Sequence, residues 1–310
     1  MIETRQLRKV YPGGKEAVAG LDLEVRPGEV FGLIGPNGAG KSTTIGMLTM
    51  TVAPTSGTAR VAGFDVAREP LAARRASSVV FQEPVVDRSL TGRQNLEVHA
   101  ELWGVARPEA RRRIDEIVRA FALSGLVERA VGGYSGGERR RLEIARALVS
   151  EPRVLFLDEP TVGLDPLIRA ELLDLIAGLR ARSEVTIFLT THYLEEAERL
   201  CDRIAIMHAG RVVALDRPST LLAGLGEELV ELRADGDPAG ALAALRAHEV
   251  AGDDAFAVGS TLTVPLHDRS PGDAIALIRD LGLGGAVGTR RPTLDDVYMR
   301  LTGAGLAEAA

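Results

Sequence analysis

The chain has 310 residues, 45% of them hydrophobic, and carries a net charge of −6 with a pI near 5.6. That length supports one large domain and a smaller one, and the acidic balance argues against a nucleic-acid partner. No apolar run approaches the about 18 residues of a membrane span, Met1-Ile2-Glu3-Thr4-Arg5 opens no signal-peptide pattern, and a single cysteine, Cys201, leaves room only for a small core residue, so a cytoplasmic protein is expected.

From the N-terminus, a β-rich portion runs to about residue 28. Val30-Phe31-Gly32-Leu33-Ile34 reads as a buried strand. It leads into Gly35-Pro36-Asn37-Gly38-Ala39-Gly40-Lys41-Ser42-Thr43, which matches the phosphate-loop pattern G-x-x-x-x-G-K-[ST], and then into a helix over Thr44–Met50. Phosphate binding needs that order. The glycines let backbone N–H groups wrap the phosphates, and the helix N-terminus adds partial positive charge. Lys41 is assigned to the terminal phosphates and the Ser42 hydroxyl to Mg²⁺. Only three of the 37 basic residues are lysines, so an ammonium at position 41 points to a place where a planar guanidinium would not fit.

Ser78-Val79-Val80-Phe81 is a further strand run, and Gln82 after it carries no meaning alone. Residues 84–150 read as mostly helical, clearest over Pro108–Leu123 and Gly137–Ser150. The arginine runs 111–113 and 139–141 sit beside acidic residues and read as solvated faces. Tyr134-Ser135-Gly136-Gly137-Glu138 opens the second of these helices. Ser135 followed by Glu138 is a capping box; a glycine-led helix start also offers N–H groups to an anion.

Val154-Leu157 is a second apolar strand, ending in Asp158-Glu159. In a parallel sheet the carboxyl ends of strands line the ligand crevice. Asp158 then suits a Mg²⁺ shell, and Glu159 the water that attacks a γ-phosphate; a polar turn before Pro160 is the plain alternative. Pro166–Arg182 reads as a crossover helix. Val185–Leu189 is a third strand, reaching His192 through Thr190-Thr191. Arg203–His208 and Arg211–Leu215 read as a hairpin turning at Ala209-Gly210, with His208 as a turn residue.

With these residues assembled, the first 215 or so resemble the nucleotide-binding subunit of ATP-binding cassette transporters, with the family's motifs in sequence order. Tyr11 lies where the family places an aromatic that stacks on adenine, and Gly35–Thr43 match its Walker A loop. Gln82 matches the Q-loop, Tyr134–Glu138 the signature, Leu155–Glu159 the Walker B strand, Gly163-Leu164-Asp165 the D-loop, and His192 the switch histidine. The resemblance implies ATP and Mg²⁺ as ligands, with Ser42, Gln82 and Asp158 at the metal and Lys41, Glu159 and His192 in catalysis. It also implies that Ser135, Gly136, Gly137 and Glu138 serve the ATP of an opposite subunit in a homodimer. Tyr134 and Glu138 depart from the common Leu-Ser-Gly-Gly-Gln.

The implied fold is α/β: a phosphate-loop NTPase core with an N-terminal antiparallel β subdomain, a helical subdomain over residues 84–150, and a small C-terminal α+β domain. The first unit spans residues 1–220 and the second 226–303, with Leu225-Gly226 as a candidate joint. In the second, Glu228–Arg233, Thr261–Leu266 and Ala286–Thr289 read as strands, and Pro238–His248 and Pro271–Leu283 as helices. Thr293 and Asp296 cap a last helix with Leu294, Val297, Tyr298 and Leu301 on one face. Its sequence resembles the ending of daunorubicin-resistance-type drug-export ATPases. Gly303–Ala310 reads as a disordered tail.

The leading expectation is an ATP-hydrolysing subunit that powers export of a drug, antibiotic or lipid-like substrate through a separate membrane permease, held at the cytoplasmic face of the membrane. A soluble cassette ATPase of DNA repair or translation is the alternative, although coiled coil, zinc cysteines and a second cassette are absent from the sequence. A phosphate-loop kinase or GTPase would leave the signature unexplained.

Overall fold

The structure, a computed structural model, describes residues 1–182, 184–234, 236–267, 269–283 and 286–303. Ile2–Val10 (β1) and Glu16–Val25 (β2) pair antiparallel. Leu21, Leu23 and Val25 are buried at every second position, the alternation of a strand with one face on a core. Val30–Ile34 (β3) runs through the loop into Lys41–Leu48 (α1). This helix begins at Lys41 rather than Thr44, because Gly40 at φ 108 turns the chain straight into it. Ser56–Val61 (β4) and Phe64–Asp65 (β5) then return to the first sheet, in the order β2-β1-β4-β5, with Ile2 opposite Val61. The antiparallel layer is therefore not confined to the first 28 residues: a two-stranded ribbon is marginal alone, and β4 covers the open edge of β1.

Pro70–Arg75 (α2) leads to Ser77–Val80 (β6), after which Gly92–Leu102 (α3), Arg107–Ala120 (α4) and Gly136–Leu148 (α5) form a helical insertion. Capping boxes start α3 at Thr91 with Gln94 and α5 at Ser135 with Glu138. Leu96, Ile114, Phe121 and Leu142 share its core. Tyr134 is buried with them, its hydroxyl donating to Leu126 O at 2.5 Å. One arginine departs from the solvated-face expectation. Arg140 is only 5% exposed, since it shares a face with Glu143 and Ile144, three and four residues on, and that face of α5 points inward.

Val154–Asp158 (β7), Pro166–Arg182 (α6), Thr186–Thr191 (β8), Leu194–Leu200 (α7), Arg203–His208 (β9) and Arg211–Asp216 (β10) complete a sheet ordered β10-β9-β3-β8-β7-β6. Its pairs are parallel except β9 with β10. β3, β7 and β8 are buried throughout, as strands covered on both faces are. Cys201 is buried in this core. Ala209 and Gly210 both have positive φ, the turn that matches strand twist in a two-residue hairpin.

Pro218–Ala223 (α8) precedes Gly226, which is pinned rather than loose: its φ is 76, and a Cβ there would lie 2.2 Å from Leu266 O. Glu228–Arg233 (β11), Pro238–Ala247 (α9), Phe256–Val258 (β12), Thr261–Leu266 (β13), Pro271–Asp280 (α10) and Val287–Arg290 (β14) form a unit whose antiparallel sheet is ordered β12-β13-β11-β14. Val230, Leu232, Leu245, Val264 and Ile278 give it a core of its own.

Leu294–Thr302 (α11) follows a capping box of Thr293 and Asp296. Asp296 is fully buried and accepts two 2.6 Å bonds from the Arg290 guanidinium, tying α11 to β14. The helix packs back on α7 and α8, and Leu294, Val297 and Tyr298 join the core that holds Leu194, Ala197 and Leu200. Leu301, expected on this stripe, is 44% exposed. His208 is not a turn residue; it ends β9, where Nδ1 lies 2.8 Å from the Tyr298 hydroxyl. Of the expected tail, Gly303 closes α11 at φ 73, and residues 304–310 lie outside the described residues.

Burial makes one histidine a stability probe. His99 on α3 is 7% exposed, and desolvation, reinforced by Arg146, lowers its pKa from 6.5 to about 4. Between those values the unfolded chain binds a proton that the folded chain refuses, so stability is lost as pH falls through that window. The loss attributable to His99 is on the order of 3 kcal/mol. In a His99→Gln variant, melting temperature should fall less steeply from pH 6.5 to 4.5 than in the parent; equal slopes would refute the assignment.

A candidate nucleotide site at the carboxyl edge of the central sheet

The strands deliver the site. Register places Ile34 beside Thr191 and Asp158 beside Thr190, so the ends of β3, β7 and β8 meet on one edge, where parallel sheets bind ligands. The loop after β3 is pressed against its neighbours: a Cβ on Gly35 would lie 2.2 Å from Met207 O, and one on Gly40 2.3 Å from Ala17 O. Gly210 N–H donates to Ala39 O at 3.1 Å. Only glycine permits that approach, and α1 then starts with N–H groups it cannot satisfy internally. Beside them is a cleft of about 290 Å³ lined by Tyr11, Asn37, Gly38, Lys41, Ser42, Thr43, Gln82 and Glu159, among others. A larger cleft, about 1050 Å³, is lined by Arg113, Ile117, Phe121 and Leu148 and shares no residue with it.

Lys41 is 4% exposed. Its ammonium donates to Gly35 O at 2.8 Å and Pro36 O at 3.0 Å, and pairs with Glu159 Oε1 at 3.0 Å. Glu159 has φ 44, a left-handed conformation that costs a non-glycine residue on the order of 1 kcal/mol. It is held there by Thr190, whose hydroxyl and carbonyl accept from Glu159 N–H at 3.0 and 3.2 Å. The same hydroxyl donates to Asp158 Oδ1 at 2.6 Å, and Ser42 Oγ reaches that oxygen at 3.1 Å. Burial raises the Asp158 pKa, against the lowering effect of those two hydroxyls. His192 Nδ1 stands 3.4 Å from Glu159 Oε2 without a hydrogen bond to it, and its ring leans on Tyr193 at 4.1 Å.

Among the described residues no three His, Cys, Asp or Glu side chains cluster for a metal. The donors that do meet, the Ser42 hydroxyl and the Asp158 carboxylate, are hard oxygens and few. That set fits Mg²⁺, which keeps water and takes its remaining ligands from substrate phosphates. At the rim, Tyr11 OH lies 3.4 Å from Thr43 Oγ1, with the Lys9 ammonium 5.1 Å from the ring centre.

Ser135, Gly136, Gly137 and Glu138 do not line this cleft. They start α5 against the entry to α6, where a Cβ on Gly137 would lie 2.3 Å from Ile168 Cγ2. Glu138 accepts from Ser135 N–H at 2.7 Å, so its charge is engaged in the cap. Asp165 accepts from Ile168 N–H at 3.1 Å and so caps α6. Sequence reasoning gave no role to Thr190, which the pairing of β7 with β8 sets directly beside Asp158. It also missed Arg140, hidden inside an arginine run.

A family model described as "ABC transporter" matches residues 18–162. The chain is 41% identical to the daunorubicin resistance ATP-binding protein DrrA3 of Streptomyces coeruleorubidus, over 94% of its own length and 92% of the relative's. It is 40% identical to the Nod factor export ATP-binding protein I of Burkholderia thailandensis, over 97% of each. The dimeric, post-hydrolysis structure of the ATP-binding cassette MJ0796 with ADP and phosphate superimposes with a TM-score of 0.63 at 26% identity, covering 70% of this chain and 98% of that one. None of these relatives supports a DNA-repair or translation factor. Cleft geometry, family match and near full-length relatives agree: the chain belongs to the ATP-binding subunits of ABC transporters, which hydrolyse ATP to drive transport.

Proposed function

We propose that the chain powers export of a drug, antibiotic or lipid-like molecule through a separate membrane permease, working as a homodimer at the cytoplasmic face of the membrane. The observation that carries the site is the buried Lys41–Glu159 pair beside Ser42 and Asp158. Phosphate oxygens entering the loop take over the Lys41 ammonium, which releases Glu159 to accept a proton from water. His192, next to Glu159, orients that water. Mg²⁺ supplies charge neutralisation to the phosphates, with Ser42, Gln82 and Asp158 as the residues that hold it. Tyr11 stacks on adenine, and residues Gly35–Thr43 cradle the phosphates. Ser135, Gly136, Gly137 and Glu138 serve the nucleotide of the opposite subunit, with Asp165 at the same junction. Their position outside the chain's own cleft supports that reading. Residues 1–220 act as the ATPase unit and 226–303 as its accessory.

The permease partner is supported by exposed apolar side chains near Gln82 and at α3 and its end: Val85, Val98, Leu102 and Trp103 are 39–74% exposed. Among the described residues no helix is long and apolar enough to cross a membrane. The cargo class follows the relatives named for daunorubicin resistance and Nod factor export.

A Glu159→Gln variant should still bind ATP and lose hydrolysis by about 10² to 10⁴. Phosphate release beside nucleotide binding tests this, and near-normal turnover rules out Glu159 as the base. Thr190→Val removes the hydroxyl shared by Asp158 and Glu159 while keeping its volume. It should lower kcat about tenfold with ATP affinity retained; a change in KM alone would place Thr190 in binding instead.

A further inference from the structure

Arg140 lies in the second turn of α5, five residues beyond Ser135, and every N–H of its guanidinium is engaged. Nε donates to Pro160 O at 2.6 Å; Nη1 donates to Phe81 O at 2.6 Å and Glu143 Oε2 at 3.2 Å; Nη2 donates to Gln82 O and Glu159 O, both at 3.1 Å. Four of the five acceptors are main-chain carbonyls, two at Gln82 and its predecessor, two at Glu159 and its successor. Glu143, on the same face and 1% exposed, completes the joint by accepting from Val85 N–H at 2.6 Å. The start of α5 is thus bolted to both segments that carry the γ-phosphate-facing side chains.

We propose that Arg140 is the positioning residue that makes the direction of the signature helix follow Gln82 and Glu159. The inference rests on the roles assigned above to Gln82, Glu159 and Ser135–Glu138. Arg140 touches no substrate and acts through backbone. Its planar fork fixes five directions at once, which three freely rotating ammonium donors cannot reproduce. Five residues of helix span only about 7 Å, so a shift of either carbonyl pair is passed to Ser135 with little slack. ATP arriving at the cleft then turns the signature toward the partner subunit, and an empty cleft leaves it unturned.

Arg140→Lys and Arg140→Met, each in the parent and the Glu159→Gln background, test this. KM and nucleotide affinity should stay within about twofold, because Arg140 lies outside the cleft, while kcat falls about tenfold or more in Arg140→Met and less in Arg140→Lys. The ATP-dependent dimer trapped by Glu159→Gln, followed by size-exclusion chromatography, should be lost when Arg140→Met is added. Parental kcat and dimerisation in both variants overturns the proposal, as does a fall in kcat that only tracks the folded fraction by circular dichroism. If Arg140→Met does not fold, Arg140→Lys decides by the same split. If Glu159→Gln alone forms no ATP-dependent dimer, the reading of the signature in trans fails instead, and the separation of kcat from KM still decides Arg140.

Discussion

A buried ammonium governs this molecule. Lys41 is removed from water at the start of α1, and an uncompensated charge in such a place costs several kcal/mol. Its compensation comes from two loop carbonyls and the Glu159 carboxylate. That requirement propagates. Glu159 must turn into the left-handed region to reach it, Thr190 must hold the turned backbone, and β7 and β8 must lie in the register that puts Thr190 beside Asp158. A ligand bringing negative charge to Lys41 therefore acts on three strand ends at once.

The same economy of polar groups appears in the helical insertion. Besides Asn95 and His99 on α3, its buried polar groups lie where it meets the core, and there the charges of Arg140 and Glu143 are satisfied chiefly by main chain. An apolar joint of equal size would bind as firmly but would slide. Directional bonds to carbonyls resist sliding, which is the property a part needs if it is to move as one piece with its neighbour.

Much of this was legible in the residues. Phosphate loop, apolar strands and carboxylate pair are local patterns, and crossover helix Pro166–Arg182 and strand Glu228–Arg233 fall at the bounds read from the sequence. What stayed hidden was long-range. Nothing near Ser56 says that β4 pairs with β1, and nothing in Arg139-Arg140-Arg141 distinguishes the buried arginine, because its partners lie about twenty and sixty residues back and forth along the chain. His208 looked like a turn residue since its partner, Tyr298, stands 90 residues away. Thr190 reads as lying beyond the strand's end at Leu189, whereas β8 runs on through Thr191, and its value lies in the neighbouring strand's register.

The seat of Tyr298 has a consequence for how the protein is made. α11 fills the apolar face shared with Leu194, Ala197 and Leu200, on the helix that directly follows His192. A ribosome delivers that helix long before Tyr298, so this apolar face stays uncovered while the intervening residues are being made. A chain interrupted in that interval holds every residue of the nucleotide cleft while this apolar face is still uncovered, and exposed apolar surface of that kind makes partly made chains prone to aggregate.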